Sequence, residues 1–133
     1  MNRFIVEKWH NLETLMNWLD STDMDKANGA IDIEPVTYEV TVVPTDMTGA
    51  TLEIVNGINK VTFTKDTAIY RLEKFRHEFS KHFNMTYCAL YYILTELLLC
   101  YDSRGKNMML ASWGPQEEGG DYIWYPIFYD IDT

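Results

Sequence analysis

The chain has 133 residues and a mass of 15.6 kDa, room for one hydrophobic core, and a composition 47% hydrophobic and 23% charged excludes both a disordered chain and a membrane-embedded one. The 20 Asp and Glu outnumber 11 Lys and Arg for a net charge of −9, which excludes a sequence-independent grip on nucleic acid, because phosphate binding needs a positive field. Met1-Asn2-Arg3-Phe4 leads into no apolar run with a small-residue cleavage site, so no secretory signal is read and synthesis in a cytoplasm is expected.

In chain order, Asn11 has the chemistry of a helix N-cap, and Leu12, Leu15, Met16 and Leu19 repeat at helical spacing, predicting a first amphipathic helix that ends near Ser21. Asp23 to Pro35 carries Asp, Asn, Gly and Pro without a period and reads as a surface connection. Val36 to Val43 alternates Val36, Tyr38, Val40 and Val42 against Thr37, Glu39 and Thr41, the pattern of a strand. Thr51 to Val55 and Ile58 to Thr64 flank Asn56-Gly57, the pair that best accepts the positive φ angles of a two-residue hairpin turn. Three antiparallel strands in the middle of the chain need a helix over one face.

That cover follows at once. Asp66 or Thr67 caps a helix whose Leu72, Phe75, Phe79 and Phe83 form a stripe, and Asn84 is read as its C-cap. Tyr87 to Tyr101 is apolar except at Thr95 and Glu96; about 15 residues fall short of the roughly 20 that span a bilayer, so it is read as a central buried helix. Asp102 to Lys106 is a polar turn, and Asn107 to Trp113 with Tyr122 to Tyr129 form an aromatic hairpin. The sequence therefore predicts an α+β fold of antiparallel strands with amphipathic and buried helices. It is one domain or a piece of a larger protein, divided into a helix with three strands (1–65) and two helices with a hairpin (66–133). Because the chain stops on an aromatic strand, it is expected to be the front of something longer.

Cys88 and Cys100 lie about 18 Å apart along the apolar helix, too far for a disulfide, and are expected to be buried thiols. His10, His77 and His82 have no zinc-ligand spacing, and Glu73 with His77 reads as a surface pair at i, i+4. One constellation has catalytic spacing. In phosphotransferases of the protein-kinase kind a loop between a helix and a hairpin carries an Asp base and, five residues later, an Asn that holds the metal. Asp102 and Asn107 match that spacing, and Asp130 or Asp132 after the hairpin would ligate Mg²⁺ bridging the phosphates of ATP. The same Asp and Asn types also cap helices and close turns, and both places are element boundaries.

Over about Tyr87 to Thr133 this order of Asp, Asn and Asp-x-Asp resembles the spore-coat (CotH-like) atypical kinases. The resemblance implies Asp102 as base, Asn107, Asp130 and Asp132 as the metal site, and Lys60 or Lys65 with Glu73 as the Lys and Glu pair of the nucleotide site. A second resemblance covers more of the chain. Tyr70-Arg71-Leu72-Glu73-Lys74-Phe75-Arg76-His77-Glu78-Phe79, Asp102-Ser103-Arg104-Gly105-Lys106-Asn107-Met108 and Tyr129-Asp130-Ile131-Asp132-Thr133 are similar to blocks in large virion proteins of tailed bacteriophages, commonly assigned to the tail or neck. It implies a structural role in the virion, made in the bacterial host cytoplasm and acting with other virion subunits or as a homo-oligomer, with no cofactor. The contacts are expected at the aromatic hairpin or at the basic face of the second helix.

Overall fold

A computed structural model describes residues 3–99, 108–114 and 122–127. The elements are α1 (Arg3–Ser21), β1 (Asn28–Val40), β2 (Ala50–Val55), β3 (Ile58–Asp66), α2 (Ala68–His82), α3 (Met85–Leu97), β4 (Met109–Trp113) and β5 (Ile123–Ile127), with a single 3-10 turn at Met24–Lys26. The fold is α+β with antiparallel strands. It divides into two compact units, Met1–His77 and Glu78–Thr133, and α2 runs across the boundary.

In the first unit the strand order is β1-β3-β2. Asn56 at φ 52° and Gly57 at φ 77° make the tight turn the sequence predicts, and it sets β2 against β3 with Val55 opposite Ile58. Gly49 is needed at the other end of β2: its φ is 67° and a Cβ there would collide with Lys65.

The connection expected at Asp23 to Pro35 is largely strand instead. β1 begins at Asn28, opposite Asp66, and its register shifts twice, between Asn28 and Asp32 and between Asp32 and Val36. Each bulge resets the alternation of side chains, so the periodic signal disappears although the pairing continues. Pro35 is tolerated because β1 is an edge strand. At the other end β1 stops at Val40, short of Val43.

Alternation does hold from Val36 onward and sorts the sheet into two faces. Val36 and Tyr38 lie opposite Phe63 and Val61, and with Val40 they form the core, in which Val61 and Phe63 are fully buried. On the other face the Thr37 and Thr62 hydroxyls bond at 2.7 Å, and Lys60 lies between Glu39 and Glu53 in the cross-strand register.

Thr67 is the cap of α2, its Oγ1 accepting from the Tyr70 N–H at 3.2 Å. From this start Ile69 and Tyr70 pack on the sheet core, and Phe75 stacks on Trp18 of α1 at 5.4 Å between ring centroids. The helix thus joins the sheet to α1. Helix α1 itself starts eight residues before the predicted cap, because Arg3 to His10 contains no Gly or Pro to stop it. Asn11 therefore lies inside the helix, buried, with no hydrogen-bond partner for its Nδ2 among the described residues.

In the second unit Asn84 begins a helix rather than ending one: its side chain accepts from the Tyr87 N–H at 2.8 Å and caps α3. Phe79 and Phe83 stack at 4.9 Å, the Asn84 N–H donates to the Trp124 carbonyl at 3.1 Å, and Tyr87 meets Tyr125 edge-on. β4 and β5 pair antiparallel as the predicted hairpin, with Pro126 fully buried opposite Leu110. Cys88 is half-buried, and burial pushes its thiol pKa up, as suits an unreactive thiol.

The expectation of a buried helix at Tyr87 to Tyr101 is corrected. Only Tyr91 and Thr95 of α3 are buried, the Thr95 hydroxyl donating to the Tyr91 carbonyl at 2.8 Å, while Leu90, Ile93, Leu94 and Leu97 are 50%, 51%, 39% and 73% exposed. A helix apolar all round normally belongs inside a core, but a two-stranded ribbon is too narrow to wrap one. Leu94→Asp is accordingly expected to cost less than about 1 kcal/mol, as exposed substitutions do. Thermal denaturation of dilute protein checks this, and a variant that fails to fold would show Leu94 to be a core residue.

Candidate functional site

The first unit holds an open cleft of about 710 Å³ where the end of β1 and residues 41–45 face α2. Glu73 lies in its wall and is 4% exposed. A buried carboxylate needs a partner, and Glu73 has two: Arg76 Nη1 donates to Oε1 at 2.8 Å, and His77 Nδ1 lies 3.6 Å from Oε2. The His77 ring stacks on Tyr38 at 4.6 Å, with Nδ1 2.8 Å from the Glu73 carbonyl and Nε2 2.8 Å from the Glu39 carbonyl. Both ring nitrogens are therefore occupied, Nε2 tying α2 to the Glu39 carbonyl of β1 and Nδ1 held within α2 by the Glu73 carbonyl. That arrangement suits anchoring better than proton transfer, which needs a ring nitrogen open to substrate.

A second tie lies at the start of α2. Arg71 Nε and Nη2 grip both oxygens of Asp66 at 2.7 and 2.8 Å, and Nη1 donates to the Asp20 and Asp23 carbonyls at 3.0 and 3.1 Å. The guanidinium beside Asp66 holds its carboxyl below the usual carboxylate range, against the desolvation that would raise it. The spacing of Glu73 and His77 is visible in the sequence, but the bonds from His77 to Glu39 and from Arg71 to Asp66, Asp20 and Asp23 are not, since partners five or more residues away have no periodic signature.

Of the residues the sequence singles out for chemistry, Asp102, Asn107, Asp130 and Asp132 lie outside the described residues. Lys60 and Glu73 are described and are not brought together. Glu73 is on α2, over the Tyr38 and Val61 face of the sheet, whereas Lys60 belongs to the opposite, polar face. The Lys and Glu pair of a kinase is not formed by these two residues, because Lys60 follows the two-residue period of β3 one step out of phase with the core. Glu73 with His77 is likewise not the surface pair expected, since Glu73 is buried. Among the described residues no group of three His, Cys, Asp or Glu is placed to hold a metal ion.

The aromatic hairpin, proposed as a contact surface, has Tyr122, Trp124 and Tyr125 half-buried, with Trp124 bridging Phe83 and Tyr125 against Tyr87. The Tyr125 ring packs inside the unit. Exposed apolar residues gather on α3, which carries one acidic residue, Glu96, and no basic one. No described helix is long and apolar enough to cross a membrane. No protein-family model, curated protein or solved structure matches the chain.

Proposed function

We propose that this chain is a structural component of a tailed-bacteriophage virion, in the tail or neck assembly, working through contacts between subunits. The observation that carries this reading is the exposed apolar surface of α3, since an exposed apolar patch on a folded protein is often an interaction site. The three blocks similar to phage virion proteins supply the setting, and the two side-chain ties of the first unit fit a part whose task is to hold shape. The chain should be made in the host cytoplasm and end in the particle, and it needs no cofactor for this role.

Purified virions should retain the chain through gradient sedimentation; its recovery in the soluble lysate alone would defeat the reading. The same protein should show no thermal shift with MgATP. A ligand at 100 times its dissociation constant adds about 2.7 kcal/mol of stability, so a shift that disappears in Asp130→Asn would favour the phosphotransferase alternative, with Asp102 as base and Asn107, Asp130 and Asp132 around Mg²⁺.

A further inference from the structure

We propose that His77 is a proton-dependent clasp, joining β1 to α2 while its ring carries two protons and releasing β1 when it carries one. The clasp stands on the surroundings of the ring and is independent of the virion role. Both ring nitrogens face carbonyl oxygens in hydrogen-bond geometry, Nδ1 that of Glu73 and Nε2 that of Glu39, each at 2.8 Å. A carbonyl oxygen only accepts, so each nitrogen has to donate. A neutral imidazole has one N–H and an imidazolium has two, so the pair of bonds requires the charged ring.

The neighbouring groups suit that charge. On α2 the Glu73 carboxylate lies 3.6 Å from Nδ1, and on β1 the Tyr38 ring stacks at 4.6 Å, within reach of a cation–π contact. The cations of α2 act against it: Arg76, whose Nη1 is bound to Glu73, and Lys74 and Lys81, three residues before His77 and four after. The Glu39 side chain belongs to the polar face of the sheet, so β1 offers His77 a carbonyl and an aromatic ring rather than a second carboxylate. Thr41 to Thr45 add no titratable group.

When one proton leaves, one bond goes with it. The proton that stays is on Nδ1, because that nitrogen faces two acceptors, the Glu73 carbonyl and its carboxylate, whereas Nε2 faces the Glu39 carbonyl alone. The bond lost is therefore the one between elements. Its place decides the consequence: β1 ends at Val40, one residue after Glu39, and among the described residues no strand pairs with Thr41 to Thr45, which form a wall of the 710 Å³ cleft. The clasp fixes the root of that wall to α2, and its release frees the wall. The His77 side chain is 34% exposed, so its proton exchanges with solvent without unfolding. Histidine is the side chain that changes charge between about pH 5 and 8, so the cleft loosens as pH rises through that interval.

Long-range proton–nitrogen NMR of the histidine rings, on the full chain at about pH 5.5 and about pH 8.5, reads which nitrogens carry protons on either side of that interval. His77 should carry two protons at the lower pH and Nδ1–H alone at the higher. Amide hydrogen exchange at Tyr38 to Val40, corrected for the intrinsic effect of pH, should report at least about threefold more opening of the strand end at the higher pH. His77→Phe keeps a ring against Tyr38 but has no donor, so its strand end should be open at both pH values. Should His77→Phe lose its fold, the wild-type ring spectra decide alone. A neutral ring protonated at Nε2, a ring in the same protonation state at both pH values, or opening that follows pH identically in wild type and a folded His77→Phe overturns the proposal.

Discussion

Arg71→Ala is expected to destabilise the first unit by about 3 kcal/mol, more than Asp66→Ala, although the two residues form one ion pair. Breaking a buried pair costs roughly 3–5 kcal/mol because the survivor is left charged and dry. The survivors differ here. Without Arg71 the Asp66 carboxylate, in a residue 8% exposed, keeps one weak bond from the Asn28 N–H at 3.5 Å, and the Asp20 and Asp23 carbonyls lose their donor. Without Asp66 the guanidinium still donates to both carbonyls, which lowers the expected cost to about 2 kcal/mol. The double variant should cost less than the two single losses together, since the residues share one interaction.

The acid limb of the stability profile tests the same tie. Arg71 holds the folded-state pKa of Asp66 below its unfolded value. The stability this contributes is present in full above the unfolded carboxylate pKa of about 3.9 and is lost as pH falls through the lower folded value. The difference in melting temperature between wild type and Arg71→Ala should therefore be widest near neutral pH and narrow below about pH 4. A difference that stays constant through that range would mean that Arg71 acts through its carbonyl bonds and packing rather than through the Asp66 charge.

The parts legible in the sequence are those whose signal is local. Asn56-Gly57 specifies a turn by its own backbone preferences, and that turn sets the register of β2 on β3. Thr67 caps α2 through a bond to a residue three positions on, a relation the sequence displays directly. Asn84 shows the limit: the same residue type ends one helix and starts another, and composition does not say which neighbour its side chain bonds. The first half of β1 was illegible because its two register shifts erase the period that marks a strand.

The candidate site was harder to read for a related reason. The apolar character of α3 was plain, but hydrophobicity states that a surface avoids water and not whether its own chain or another covers it. Lys60 and Glu73 had suitable types for a nucleotide site, and only the phase of β3 against its neighbours places them on opposite sides of the sheet. Phase is set by pairing across the sheet, which one strand's residues do not contain.

That phase supports the second large prediction, Phe63→Ala, expected to cost about 3–5 kcal/mol, as removal of a buried aromatic ring from a core generally does. Phe63 is 1% exposed, lies between Val36 and Ala50 in the central strand, and meets Tyr38 and Tyr70 at 6.2 and 5.9 Å in tilted ring contacts. Truncation leaves a cavity walled by three elements that cannot all collapse inward. Domains of this kind retain roughly 5–15 kcal/mol in total, so the loss is a large fraction of it. Phe63→Leu should recover more than half, because it refills most of the volume without the ring contacts. Thr62→Ala, one residue earlier on the same strand, removes an exposed hydroxyl pair and should cost no more than about 1 kcal/mol. Urea unfolding followed by tryptophan fluorescence has a reporter in Trp18, stacked on Phe75 in the same unit. Equal midpoints for Phe63→Ala and Thr62→Ala would mean that the two faces of β3 are interchanged, and with them the side of the sheet on which α2, Glu73 and His77 lie.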